Sequence, residues 1–143
     1  MMIKQISVFL ENKSGRLIRI AQILGEAKIN IRGLSIADTS DFGILRLIVD
    51  QPEKAVKELK DNDIMATLTD VIAIEVPDRP GGLAEVLVYL NKAGINIEYL
   101  YSLIDKPAQN AMIMMRVEQV DRALEVLENN NIPIVSSKRI YAF

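Results

Sequence analysis

Asp78-Arg79-Pro80-Gly81-Gly82-Leu83 joins two stretches of different periodicity. Before it, Ile72, Ile74 and Val76 alternate with other residues, the period of a half-buried strand. After it, Leu83, Val86, Leu87 and Leu90 recur at the spacing of one helix face. The stretch therefore reads as a strand-to-helix turn. Pro80 fixes φ for the entry, and Gly81 and Gly82 admit backbone geometries barred to other residues. The N–H groups left free at such a helix start can receive a carboxylate or a phosphate. Most strand–helix turns bind nothing, so the weight of this one comes from its repetition.

Asn12-Lys13-Ser14-Gly15-Arg16-Leu17 occupies the same place earlier in the chain. Ile6, Val8 and Leu10 alternate before it, and Leu17, Ile20, Ala21 and Leu24 form a helical stripe after it, ending over Gly25 to Lys28. Ile29-Asn30-Ile31 opens an extended run through Leu34 and Ile36, with Arg32-Gly33 as a bulge, and Asp38-Thr39-Ser40-Asp41 is a turn by composition. Phe42 to Val49 is a third strand with Leu45, Leu47 and Val49 on one face. Asp50 reads as the cap of a second helix, with Pro52 in its first turn, Glu53 in capping-box position, and Ala55, Val56 and Leu59 as its stripe. Ile64 to Thr69 is a fourth strand.

The series then recurs. Gly94-Ile95-Asn96-Ile97 matches Lys28-Ile29-Asn30-Ile31, Ala111 to Val117 is the third strand, Val120, Ala123, Leu124 and Leu127 mark the second helix, and Ile132 to Arg139 closes the copy as a strand. Gly15 and Gly81, Leu17 and Leu83, Leu24 and Leu90, and Asn30 and Asn96 are each 66 positions apart. An internal repeat at a fixed offset fixes the fold class as α+β, with two ferredoxin-like βαββαβ domains, residues 1–70 and 71–143, antiparallel sheets and helices on one face. Copies of about 70 residues are near the lower limit for an independent core, so the two are expected to pair side by side and bury edge strands. Ile44 and Ile48 beside Arg46, and Met112 and Met114 beside Arg116, suggest an apolar outer sheet face and a homodimer through it.

Composition narrows the function. The 143 residues carry a formal charge of −2 with Lys and Arg dispersed, which argues against nucleic acid as a main partner. No apolar run approaches the roughly 20 residues of a membrane span, the first eleven residues are too alternating for a signal peptide, and the expected location is cytoplasmic. There is no Cys and no His, so disulfides, thiolate chemistry and the most common general base are absent. Asp38, Asp41, Asp50 and Asp105 read as turn and cap residues, and no spacing argues for a metal or a cofactor.

Glu11-Asn12-Lys13-Ser14-Gly15-Arg16-Leu17 with Ile29-Asn30-Ile31, and Pro77 through Leu83 with Gly94-Ile95-Asn96-Ile97, resemble the ACT domain family in a tandem arrangement covering essentially the whole chain. The chain is also similar to the small regulatory subunits of acetolactate synthase. The resemblance implies a regulatory module that binds an amino acid and acts on an associated metabolic enzyme. It further implies a ligand lying where two domains pair, between the turn of one and the second strand of the other. One site would use Asn12, Ser14, Gly15, Arg16 and Leu17 with Asn96 and Ile97; the other Asp78, Pro80, Gly81, Gly82 and Leu83 with Asn30 and Ile31. Turn N–H groups suit the carboxylate of such a ligand, Asn side chains and strand carbonyls its ammonium, and Leu17 or Leu83 its side chain. The sites differ: Asn12 becomes Asp78, Ser14 becomes Pro80, and Arg16, able to pair with an acidic group, becomes Gly82, which would let a ligand approach the backbone. At most one is expected to bind strongly.

Each feature also has a structural reading. Gly15 and Gly81 can serve only the turn, Asn30 and Asn96 can satisfy backbone groups at a strand start, and Lys13 and Arg79 can be solvated loop charges. Tyr99 and Tyr101 suit a sheet or an interface, and Met112, Met114 and Met115 suit core and interface filling. Three function classes remain: an amino-acid sensor, a regulatory subunit acting mainly by contact with an amino-acid biosynthetic enzyme, and, least supported, an enzyme.

Overall fold

A computed structural model describes residues 2–11, 13–38, 42–103 and 110–142. Asn12, the 39–41 part of the expected turn, and Asp105 lie outside the described residues. The elements in order are β1 (Ile3–Glu11), α1 (Arg16–Glu26), β2 (Ile31–Asp38), β3 (Phe42–Val49), α2 (Pro52–Asp61), β4 (Ala66–Pro77), α3 (Gly82–Lys92), β5 (Ile97–Ser102), β6 (Asn110–Val117), α4 (Val120–Asn129) and α5 (Ser137–Tyr141). They form two compact units. One holds Lys4–Thr69 with the chain end from Ile140; the other holds Asp70–Arg139 with the first residues through Ile3.

In the first unit β2 and β1 flank β3, both antiparallel, with β4 next to β1. In the second, β6 stands between β4 and β5, again antiparallel. The Arg32-Gly33 bulge is present as a register shift between Ile31 and Gly33, and its counterpart lies between Ile97 and Tyr99. The two cores correspond almost position by position. Ile6, Val8, Ile20, Leu24, Ile29, Leu45, Leu47, Val49, Ala55 and Leu59 are buried in the first. Ile72, Ile74, Val86, Leu90, Ile95, Ile113, Met115, Val117, Ala123 and Leu127 do the same in the second. The repeated hydrophobic pattern thus places two helices over one sheet face twice.

Five expectations need correction. The strands expected at Ile64–Thr69 and from Ile72 are one continuous strand, β4, because neither Gly nor Pro interrupts residues 66–76 and Asp70 alone does not break it. The last strand of the second copy is reduced to one bridge, Ile74 to Ile134, extended by Glu75 N donating to Pro133 O (3.0 Å) and Val135 N to Ala73 O (2.8 Å). Pro133 has no N–H to give a ladder, and Ser136 Oγ accepts the Arg139 N–H at 3.2 Å, turning the chain into α5. Asp50 does not cap α2, whose N-cap is Gln51 without a side-chain bond; Asp50 Oδ1 instead accepts the Asn30 N–H.

On α1, Ile20 and Leu24 are buried, whereas Leu17 and Ala21 from the same stripe are exposed; Ile23 and the C-cap residue Ala27 pack against the core instead. Finally, Ile48, Met112 and Met114 are buried within the chain and offer no exposed patch. In the second unit Tyr101 stands opposite Met114 and Tyr99 opposite Arg116, adding bulk to that face. Ile44 does stay exposed, joined by Phe9 (65% exposed) and Phe42 (46%), whose rings lie 5.1 Å apart.

Candidate functional site

Both repeated turns adopt one geometry. Lys13 N donates to Glu11 O at 2.8 Å and Arg16 N to Lys13 O at 3.4 Å; Arg79 N donates to Pro77 O at 2.9 Å and Gly82 N to Arg79 O at 3.0 Å. Gly15 (φ 87°, ψ −7°) and Gly81 (φ 82°, ψ −6°) occupy the N-cap positions in the left-handed region, which explains glycine at both. Neither helix start has a side-chain cap. Arg16 N and Gly82 N are taken by the turn carbonyls, and the helical ladder begins with Arg19 N and Glu85 N donating to Gly15 O and Gly81 O. The helix-start donors suited to a carboxylate are therefore the N–H groups of Leu17 and Ile18 and of Leu83 and Ala84.

The side chains around these equal backbones differ. In the first copy a cavity of about 210 Å³ is lined by Leu10, Glu11, Lys13, Arg16, Leu17, Ile36 and Gly43. Glu11 accepts from Lys13 Nζ at 3.0 Å and faces Arg16 Nη2 at 3.6 Å. The Lys13 hydrogen bond, then the charges of Lys13 and Arg16, hold the Glu11 carboxyl below its ordinary value. One wall thus carries two cations and one anion, and another carries aliphatic side chains from β1, α1 and β2.

In the second copy Pro77 stands where the first has Glu11, and Gly82 where it has Arg16. A Cβ at Gly82 would lie 2.0 Å from Pro77 O, so the protein's own carbonyl fills that space. Gly82 serves this close packing rather than access for a ligand. Arg79, the counterpart of Lys13, is engaged by Glu85 through Nη2 at 2.8 and 2.9 Å to its two oxygens. Asp78, Pro80 and Gly81 are exposed, and Leu83 is partly buried against the second core.

The strand-start residues serve a different purpose within each unit. Asp50 N donates to Asn30 O at 3.1 Å and Asp50 Oδ1 accepts the Asn30 N–H at 3.0 Å. Glu118 N donates to Asn96 O at 3.3 Å and Glu118 Oε1 accepts from Asn96 Nδ2 at 2.9 Å. A carboxylate just after the third strand thus ties down the start of the second strand twice. Ile31 pairs with Val49 and Ile97 with Val117, while Glu11 pairs with Phe42 and Pro77 with Asn110. Within a unit, Asn30-Ile31 and Asn96-Ile97 therefore sit at the sheet end remote from that unit's turn. Near the first turn stand Ile36 and Gly43 instead, which sequence reading missed; the only available signal was that the end of β2 and the start of β3 must flank the end of β1.

Among the described residues no His, Cys, Asp or Glu cluster is grouped as a metal set would be, and no helix is long and apolar enough to cross a membrane.

Comparison with known proteins agrees with this architecture. The family model of the ACT domain pair matches residues 1–143. The crystal structure of protein BT0572 from Bacteroides thetaiotaomicron is 42% identical, with TM-score 0.93, covering 100% of this chain and 98% of that one. The ligand-free regulatory subunit of aspartate kinase from Thermus thermophilus shares the fold at 17% identity, with TM-score 0.65 and coverage of 88% and 91%. The acetolactate synthase small subunit of Aquifex aeolicus is 33% identical over a 79-residue alignment that covers 49% of this chain and 41% of that subunit. The chain thus spans less than half the length of the curated relative it matches. With a match from end to end and a duplicated βαββαβ fold, the chain belongs to the ACT domain pair family.

Proposed function

We propose that this ACT domain pair is a regulatory amino-acid sensor, not a catalyst, with its principal binding site at the first turn. The observation that carries this reading is the 210 Å³ cavity beside the uncapped start of α1, with Glu11, Lys13 and Arg16 on one side and Leu10, Leu17 and Ile36 on another. A zwitterion matches that set. Its carboxylate is received by first-turn N–H groups and Arg16, its ammonium by Glu11, and an apolar side chain by Leu17 and Ile36. Ser14 and Gly15 shape the turn that presents the donors.

The second turn offers less. Its carboxylate position is Pro77, its arginine position is packed against the Pro77 carbonyl, and its remaining cation is held by Glu85. Asp78 could still attract an ammonium, but with Gly82 in place of Arg16 the turn has a single cation, Arg79, turned toward Glu85. Isothermal titration of the intact protein with single amino acids tests this. One ligand per chain, with binding lost in Arg16→Gln and retained in Asp78→Asn, supports it.

A second reading is that the chain regulates an amino-acid biosynthetic enzyme chiefly by contact. It is supported by the likeness to an acetolactate synthase small subunit and by the exposed Phe9, Phe42 and Ile44 face, which could equally meet a second copy in a homodimer. Co-purification of an enzyme with the wild-type chain but not with Phe9→Ser favours this second reading, provided that free amino acids leave the melting point unchanged.

A further inference from the structure

A second set of cavities in the first unit adjoins the amino-acid site, sharing Leu10, Glu11 and Arg16 with it, and extends to Arg19, Lys60 and residues 63–66, which that site does not use. One, of about 160 Å³, is lined by Arg16, Arg19 and Glu11 together with Asp63, Ile64 and Met65. The next, of about 390 Å³, is lined by Val56, Lys60, Asp63, Ile64, Met65 and Ala66. The two share Asp63, Ile64 and Met65, so they form one groove with a charged end, where Arg16 and Arg19 stand with Glu11 and Asp63, and an aliphatic end. Met65 is 83% exposed, an unusual position for a large apolar side chain. Arg19 is oriented by Nη2 donating to Asn62 O at 3.0 Å.

The second copy supplies an internal comparison. After α2, Asp63 (φ 62°) donates to Lys60 O at 3.0 Å and Ile64 to Leu59 O at 2.9 Å; after α4, Asn131 (φ 59°) donates to Glu128 O at 3.1 Å and Ile132 to Leu127 O at 2.9 Å. The backbones therefore correspond, and so do the positions. Where the first copy has Arg16, Arg19 and Lys60, the second has Gly82, Glu85 and Glu128. Met65 corresponds to Pro133, whose carbonyl is used by Glu75 N. Every cation of the groove is thus exchanged for a neutral or acidic residue in a copy that keeps the same fold. With Glu11 and Asp63 also in the lining, the groove carries three cations against two carboxylates, whereas the corresponding positions of the second copy, Pro77, Gly82, Glu85, Glu128 and Asn131, carry two acids and no cation.

We propose that this groove is a second ligand site, taking an aliphatic carboxylate. The carboxylate sits on Arg19, with Arg16 beside it and Lys60 on the rim. The hydrocarbon body covers Val56, Ile64, Met65 and Ala66. The guanidinium fork matches the carboxylate geometry, and the apolar wall favours a body without polar groups.

The test uses the full chain with octanoate as the probe, and octanol as its uncharged counterpart, read by amide chemical-shift titration. Octanoate is expected to shift the amides of Arg19 and 62–66 saturably, with octanol at least tenfold weaker. Arg19→Gln is expected to weaken octanoate at least tenfold. Met65→Asn, at an exposed position that folding tolerates, is expected to weaken it severalfold even if Arg19→Gln fails to fold. The proposal is overturned if octanoate produces no saturable shift at millimolar concentration, if the shifts map elsewhere, if octanol binds equally, or if Met65→Asn leaves octanoate affinity unchanged.

Discussion

The carbonyl of Pro77 occupies the volume that a side chain at Gly82 would need, 2.0 Å from where its Cβ would stand. At Gly15 and Gly81 the surroundings are open, and the demand for glycine is set by a positive φ. Gly82→Ala is therefore expected to push the second turn apart and destabilise the protein by about 1–3 kcal/mol, the usual penalty for overpacking. Gly15→Ala is expected to cost about 1–2 kcal/mol from left-handed strain alone. Urea unfolding of both variants measures this, and a neutral Gly82→Ala would contradict the close packing.

Asp50 and Asn30 are bonded in both directions, N–H to carboxylate and N–H to carbonyl. Asp50→Ala is expected to lower stability by about 1 kcal/mol, because water can reach the freed Asn30 N–H. Asp50→Asn keeps an acceptor and is expected to lose less. Denaturant midpoints with unchanged m-values check the order of the two.

Lys28 and Gly94 end equivalent helices with φ of 62° and 70°. Lysine bears left-handed strain that glycine does not, so Lys28→Gly is expected to raise the stability of the first unit by about 0.5–1 kcal/mol. The bond from Gln51 Nε2 to the Lys28 carbonyl (3.3 Å) uses backbone and can persist. A thermal melt of the variant checks the sign.

Glu11 has its carboxyl held low by Lys13 and Arg16. A group whose pKa is lowered on folding contributes stability that is present above the unfolded-state value and is lost as pH falls through the folded-state value. Acid should therefore remove a contribution in wild type that Glu11→Gln lacks, so the two unfolding curves converge below the ordinary glutamate range. Ammonium recognition should fall in the same window, which a titration of ligand affinity against pH reads directly.

The two-domain fold was legible because the hydrophobic pattern is written twice, and Leu24/Leu90 and Asn30/Asn96 fix the offset. What escaped the sequence depends on contacts between distant positions. Asp50 has the composition of a cap, but the Asn30 amide competes for its carboxylate. The Ile132–Arg139 run has the apolar content of a strand, but Pro133 and Ser136 redirect it into α5. Met112 and Met114 alternate as exposed residues would, yet they are buried. At the candidate site, Gly15, Arg16 and Leu17 could be named from the turn itself. Ile36 and Gly43 could not, because only the register of β1 on β3, and of β3 on β2, brings them to that end of the sheet.

The most direct measurement of the central claim is isothermal titration of the intact chain, in wild-type and Arg16→Gln forms, with each of the twenty amino acids at millimolar concentration. The account predicts saturable binding of one amino acid or a related few at one site per chain, weakened at least tenfold in the variant. Two equal sites per chain, or no heat from any amino acid, would contradict it.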